Sequence, residues 1–312
     1  MQATIHWIRG TLVLLVTTLF VVAFVSPARA EDAKEKPAAE AKDAPKYTLR
    51  YKFKAGEVVR YEVEHRASVR TTIDEVTDEA HTKTESTKAW KIIDVLSDGE
   101  IELTLVVERV HMRNRLPDRD EMQYDSEKDK TPPPGFEDAA RAVGVPLSTI
   151  RLTPYGKVVK RTVEHKQPGA DQDAPIMILL PEEPVAVGAT WDEPQDVSIE
   201  LQTGGNKVIQ TRRHFELKDV TSGVADIEMT YQVLSPITAN VEAQLVQRLM
   251  KGTIRFDIKQ GRILNQQMDV DQHVLGFAGA TSSMYYVMRL KETLLTDNPE
   301  VAYQKKKKAV SR

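Results

Sequence analysis

The feature that most constrains the fold is an alternation of apolar and polar residues with a period of two. From Val59 to Val69 the odd-numbered residues are mostly apolar, and the even-numbered ones are charged or serine. The same alternation is present in Tyr47–Phe53 and again in Met284–Lys291. Successive side chains of a strand point to opposite faces, so this pattern places one face on a core and the other in water. It predicts antiparallel strands.

Turn signals separate the alternating runs. Ser97-Asp98-Gly99 and Tyr155-Gly156 each lie between two such runs, which is typical of β-hairpins. Phe136–Val143 is predicted as a short helix, and Ile237–Met250 favours a helix over a strand because its apolar residues recur every four positions. The expected fold class is mainly β, with antiparallel, half-barrel-like curved sheets in two related units, each with a short helix.

The two units are inferred from three echoes in the same order along the chain. The turn and strand at residues 187–191 resemble residues 55–59. The Ser222-Gly223 hairpin resembles the Asp98-Gly99 hairpin, and Thr253–Phe256 resembles Thr149–Leu152. Three ordered echoes predict a diverged internal duplication.

These patterns give the expected organisation of the chain: a signal peptide (1–30), a disordered charged and alanine-rich linker (31–46), a first β-rich unit (47–166) with a long exposed loop (114–135), a crossover (167–184), a second β-rich unit (185–296) and a basic disordered tail (297–312).

The first thirty residues have the features of an export signal. Arg9 precedes the uncharged run Thr11–Val25, and Ala28-Arg29-Ala30 provides small residues at the positions that signal peptidase reads. The predicted location is the periplasm or cell envelope. The alternative is an uncleaved anchor in the inner membrane formed by residues 11–25, although that run is shorter than the roughly 20 residues of a spanning helix.

Composition excludes several classes of function. The chain has no cysteine, so disulfides and thiolate metal sites are excluded. The net charge is −3, which gives no indication of nucleic-acid binding. The strongly basic run Lys305–Lys308 is interpreted as a solvated end, with weak contact to an anionic membrane as the alternative.

No catalytic motif is present. The sequence lacks a nucleophile elbow, a zinc-protease helix and a phosphate-binding glycine loop, and its histidines are not at metal-ligand spacing. We therefore predict no catalytic residue, no metal and no cofactor. A hydrolase that uses two carboxylates brought together by the fold stays open as an alternative.

Four aromatic residues are candidates for binding a ligand. Trp191 could form an aromatic platform, although a structural role that locks a strand onto the core is favoured. Phe277, Tyr285 and Tyr286 lie in or near a stretch rich in glycine and alanine, where a ligand could approach the backbone.

The segments Leu179–Trp191, Gly252–Asp257 and Gly261–Ile263 resemble a group of exported bacterial proteins of unknown function, plentiful in planctomycete-type bacteria. The resemblance covers most of residues 47–295 and implies a β-rich fold and an exported location. It implies no activity.

The expected function is that of a non-enzymatic envelope protein whose curved sheet holds an apolar ligand, such as a lipid, or an envelope protein partner. If the protein's own side chains fill the concave faces, a structural or assembly role is expected instead.

Overall fold

The computed structural model describes residues 44–166, 177–201 and 204–295. The predicted signal peptide, the linker up to residue 43 and the basic tail, with Lys305–Lys308, lie outside the described residues and stay predictions. Residues 167–176, the first part of the predicted crossover, also lie outside the described residues.

The described chain is mainly β, and its sheet is antiparallel, as predicted. The strands are β1 (Val58–Ile73), β2 (Val76–Val95), β3 (Ile101–Arg115), β4 (Met122–Asp125), β5 (Pro146–Leu152), β6 (Val158–Val163), β7 (Thr190–Glu200), β8 (Asn206–Thr221), β9 (Val224–Val233), β10 (Lys251–Asp257), β11 (Arg262–Leu275) and β12 (Ser283–Leu294). The helices are α1 (Glu137–Ala142) and α2 (Ala239–Leu245), and a 3₁₀ turn at Val246–Arg248 follows α2.

All twelve strands join one sheet in the order β6-β5-β3-β2-β1-β12-β11-β10-β9-β8-β7, with β4 paired to the end of β3. The strands of the two predicted units therefore meet in a single sheet, because β1 pairs with β12 at its centre. Two short helices are present, as predicted. Helix α1 lies between β4 and β5, and helix α2 lies between β9 and β10. The duplication itself stays a prediction.

The alternation of β1 explains its two faces. Val59 and Tyr61 are buried and Val63 packs against the same core, whereas Arg60 bonds Glu108 across the opposite face. The face that carries the buried side chains is called the inner face below. The turn after β1 is formed by Asp74-Glu75, both at positive φ, which is the geometry of a tight two-residue hairpin.

Three predictions about individual segments differ from the structure. Residues 47–53 are extended but lie outside the sheet, since their backbone bonds loops and turns rather than a neighbouring strand. The predicted loop 114–135 contains β4, because Tyr124 packs with Phe136 in a small core. Finally, β2 begins at Val76 and is longer than the alternating run before Ser97-Asp98-Gly99 predicts. The first half of β2 shows no apolar–polar alternation because both faces of that half are largely polar.

The sheet is strongly curled. The backbone N–H of Tyr51 donates to Pro154 in the β5–β6 turn (2.7 Å), and that of Lys52 donates to Gly261 in the β10–β11 turn (3.0 Å). In a flat sheet these turns would be about 29 Å apart, given six strand spacings of about 4.8 Å. Two adjacent residues are only about 3.8 Å apart, so the two arms of the sheet must curve toward each other.

A second segment closes the same end of the curled sheet. The N–H of Leu180 donates to Tyr155 in the β5–β6 turn (2.8 Å), and the indole of Trp191 on β7 donates to Leu179 (2.7 Å). Residues 177–185 therefore connect the two outermost arms, and Val185 pairs with Tyr47. We call this segment, together with residues 47–53, the plug.

Candidate ligand site on the inner face of the sheet

The plug fills one end of the inner face with the protein's own side chains. Leu49, Tyr51 and Phe53 enter the main core from one segment, and Met177, Ile178 and Leu180 enter it from the other. The aromatic rings of Tyr51 and Phe256 pack edge to face, with centroids 5.6 Å apart. At this end the inner face is closed, so a carrier site for an apolar ligand is not supported here.

The opposite end carries a second apolar surface, covered by α2. We call it the inner patch; its members are Ala67, Val69, Ile73, Val270, Val274, Phe277, Ala278, Met284, Tyr286, Met288 and Leu290 from the sheet and its β11–β12 loop. Ala243 of α2 and Val246 of the 3₁₀ turn pack over it. Methionine is flexible and polarisable, so a surface that contains Met284 and Met288 adapts to differently shaped apolar groups.

The helix that covers the inner patch is short and has few stabilising contacts at its ends. Helix α2 has seven residues, and Thr238 at its N-terminus makes no side-chain capping bond. An isolated helix of this length is unstable in water, so α2 depends on packing. Its Asn240 amide donates to the backbone of Phe277 (3.2 Å), and Gln244 donates to Glu200 (3.1 Å).

One buried hydroxyl at the inner patch has no hydrogen-bond partner among the described residues, and a phenol lies beside it. Thr71 is 2% exposed and its Oγ1 is buried without a partner. Tyr286 is 7% exposed, and burial raises the pKa of its phenol to about 12. In the sheet register Thr71 faces Met284 and Val69 faces Tyr286, so the two side chains are diagonal neighbours on one face.

The structure separates the four predicted ligand residues. Phe277 and Tyr286 come together in the inner patch. Tyr285 lies on the outer face, 41% exposed, where its ring meets His273 edge to face. Trp191 stacks on Phe215 at the plug end, 5.5 Å between centroids. Thr71 was not among the predicted ligand residues, although it continues the inward series of odd-numbered residues in β1.

The outer face has a shallow depression of about 690 Å³ over β2, β1, β12 and β11. Its charged side chains are largely paired: Arg289 contacts Asp269 at 2.5 Å, Lys83 contacts Glu85 at 2.9 Å, and Arg66 pairs with Glu64. Such pairing is typical of a solvated convex face and neutralises the charge that an ionic ligand would need.

Two ion pairs lie on the inner face away from the inner patch. Lys88 contacts Glu292 at 2.7 Å and lies over the rings of Tyr61 and Trp90. On the other arm, Arg213 pairs with Glu193 and donates to Met177 of the plug. Both pairs are well buried, and each joins strands or the plug to the core.

The geometry offers no support for the hydrolase alternative. The pKa of Asp125 is lowered by a hydrogen bond from Lys128, and that of Asp269 is lowered by Arg289 and Gln267 against the opposing effect of burial. Both shifts are downward and the residues lie on β4 and β11, so they do not form an acid and a base facing one cleft. Within the described ranges, no three acidic or histidine side chains form a metal site.

No helix in the part of the chain that the structure describes is long and apolar enough to cross a membrane.

Comparison with known proteins adds little. No family model and no curated protein matches the chain. Among solved structures, it is similar to lipovitellin, from work on its lipid–protein interactions, at a TM-score of 0.43 and 13% identity, over 78% of this chain and 26% of that one. It is also similar to the Pseudomonas aeruginosa protein OccK11 at a TM-score of 0.17 and 9% identity, over 80% of this chain and 100% of that one. At such scores the likeness supports no conclusion about this chain.

Proposed function

We propose that the protein is a non-enzymatic component of the cell envelope that binds an apolar chain on the inner patch, beneath α2. The observation that carries the proposal is the contrast between the two ends of the inner face. The plug closes one end with backbone hydrogen bonds and large side chains, whereas a seven-residue helix and one 3₁₀ turn cover a methionine-containing surface at the other end.

Displacement of α2 gives a ligand access without unfolding the sheet. Val241, Ala243 and Leu245 are the buried residues of α2. Ala243 packs on the inner patch, and Val241 and Leu245 pack in the small core with Ile199 and Ile209. These contacts are apolar, so an acyl chain that takes the place of α2 replaces them with contacts of the same kind. The strands beneath are held by their own ladders, β1 with β12 and β12 with β11.

The export prediction supports this function. An envelope protein that binds an apolar chain encounters such chains in the adjoining membranes. The charged outer face keeps the loaded protein in solution. Its basic side chains are paired with acids, so they do not attract the protein to an anionic membrane surface.

The test is to fill the inner patch. Ala67 is half-buried on the inner face of β1, and its neighbour Ser68 points to the outer face. In Ala67→Phe the added ring occupies the patch, so binding of a neutral fluorescent probe such as N-phenyl-1-naphthylamine should fall by about tenfold or more. The full-length chain is exported from a Gram-negative host and purified without detergent, and probe fluorescence is titrated.

Ser68→Phe is the matched control, because it adds the same ring to the opposite face. It should bind the probe like the unchanged protein. Native mass spectrometry of the unchanged protein should show an added mass from a host lipid. Absence of probe binding and of added mass would overturn the proposal and leave a structural or assembly role.

A further inference from the structure

The inner patch contains hydroxyl groups as well as apolar side chains. Thr71 places a buried hydroxyl without a partner in an otherwise apolar surface, and the Tyr286 phenol is its diagonal neighbour. A buried hydroxyl without a hydrogen bond carries a free-energy cost, so native proteins nearly always give it a partner. The unpartnered Thr71 hydroxyl, with the Tyr286 phenol beside it, points to a partner that the protein alone does not supply.

The strand residues around these hydroxyls are uncharged or acidic. Gln272 lies opposite Tyr286 in the β11–β12 register and is half-buried on the same face. The inward residues of β2 beside the patch are Thr82, Thr84 and Ser86, all half-buried. Opposite Thr71 is Asp78, an acid. The inward cation of β2, Lys88, is bound to Glu292 further along the sheet. The cover carries Glu242 on α2 and Arg248 on the 3₁₀ turn, and Arg248 has a partner of its own.

Among the strand residues, His65 is a further titratable group that faces this region. It lies opposite Leu290 and Thr84, and burial lowers its pKa, so the imidazole is neutral at physiological pH. Tyr286, with its pKa raised to about 12, keeps its proton and donates. A carboxylate or phosphate head group would therefore lie beside Asp78, in a site where the described cations Lys88 and Arg248 already have partners, which is costly for an anion.

We infer that the ligand of the inner patch is an amphiphile with an uncharged, hydrogen-bond-accepting head group, such as an ester, which receives hydrogen bonds from the Thr71 and Tyr286 hydroxyls. The acyl chain lies on the patch beneath α2. The hydroxyl-rich strip of β2 forms the polar border on which the remaining head-group oxygens rest. This inference rests on the proposed function, since it identifies the class of ligand for the same site.

The experiment compares ligands that share one chain and differ in the head group. Monopalmitoylglycerol and palmitate are each used to displace N-phenyl-1-naphthylamine from the full-length protein at pH 7.5, below their aggregation concentrations. Monopalmitoylglycerol should bind more tightly than palmitate by about tenfold or more, because the carboxylate must be desolvated without a counter-ion.

Thr71→Val and Tyr286→Phe remove one hydroxyl each while keeping the shape of the side chain. Each should weaken monopalmitoylglycerol by about fivefold, the effect of one hydrogen bond, and leave affinity for the probe unchanged. Thr72→Val and Tyr285→Phe are the matched controls on the outer face and should leave both affinities unchanged. The thermal midpoint of Thr71→Val should stay the same or rise, because an unpaired buried hydroxyl has been removed.

The outcomes separate the two proposals. If neither the probe nor monopalmitoylglycerol binds, the proposed function fails. If both bind, but palmitate competes equally well or the two hydroxyl variants bind monopalmitoylglycerol like the unchanged protein, the inference about the head group is overturned while apolar binding stands.

Discussion

His65 shows how the position of one side chain on a curled sheet changes its chemistry. It occupies an odd-numbered position of β1, so it faces inward between Leu290 and Thr84, and burial lowers its pKa. A lowered folded-state pKa means that the unfolded chain takes up a proton first as the pH falls below about 6.5. The contribution of His65 to the free energy of unfolding is therefore retained above that pH and is lost as the pH falls toward the folded-state pKa.

We expect His65→Gln to lose less thermal stability between pH 7.5 and pH 5.5 than the unchanged protein. The thermal midpoints of the two proteins at both pH values measure this difference. His81→Gln is the control, because His81 is exposed on the outer face. An equal loss in His65→Gln and the unchanged protein would show that His65 does not titrate on unfolding.

Some residues of the candidate site follow from the sequence, and others do not. The alternation in β12 already placed Met284, Tyr286 and Met288 on one face and Tyr285 on the other, and the structure agrees. Grouping Tyr285 with Tyr286 as one ligand site conflicts with that pattern, because adjacent strand residues face opposite sides. The unpartnered state of Thr71 could not be predicted, since it depends on which neighbours the sheet register supplies.

At the scale of elements, the two short helices make a natural comparison. Helix α1 packs beside Phe136 and Tyr124, in a core closed by aromatic contact. Helix α2 packs on the inner patch and on a small core that includes Ile199 and Ile209. The apolar periodicity of residues 237–250 predicted a helix here, but periodicity alone did not indicate that it ends at Leu245 and continues as a 3₁₀ turn.

Hydrogen exchange followed by mass spectrometry tests the role of α2 as a movable cover. Amides of Ala239–Leu245 should exchange faster than those of β11 and β12, and they should become slower when a ligand binds. Peptides of α1 serve as the internal control, because a ligand on the inner patch does not contact that arm. Protection of α2 equal to that of β12 would mean that the helix does not open below global unfolding.

At the scale of the whole molecule, the curl depends on close approaches that only glycine permits. Gly156 has a φ of +91°, and a Cβ there would lie 2.5 Å from the carbonyl oxygen of Ile178 and 2.9 Å from the ring of Tyr51. Both neighbours belong to the plug. The sequence predicted a hairpin turn at Tyr155-Gly156, but it did not predict that the turn would contact segments from two distant parts of the chain.

Gly156→Ala should therefore destabilise the fold more than Gly188→Ala does. Both positions have a similar positive φ, which costs about 1–2 kcal/mol for alanine, whereas Gly188 has no atom within 4 Å of an added Cβ. The clash at Gly156 should add about 1–3 kcal/mol. Chemical denaturation of both variants measures the free energies of unfolding, and equal losses would contradict a plug packed tightly against this turn.

The pairing of the first strand with the last one sets an order of assembly. The two meanders, β1 to β6 and β7 to β12, consist mostly of strands joined to their sequence neighbours, so each can form through local loop closure. The contact of Tyr61 with Leu294 requires nearly the full polypeptide. We therefore expect a nascent chain to keep β1 as a sheet edge until translation reaches β12, which leaves a long interval in which a protease or chaperone can bind that edge.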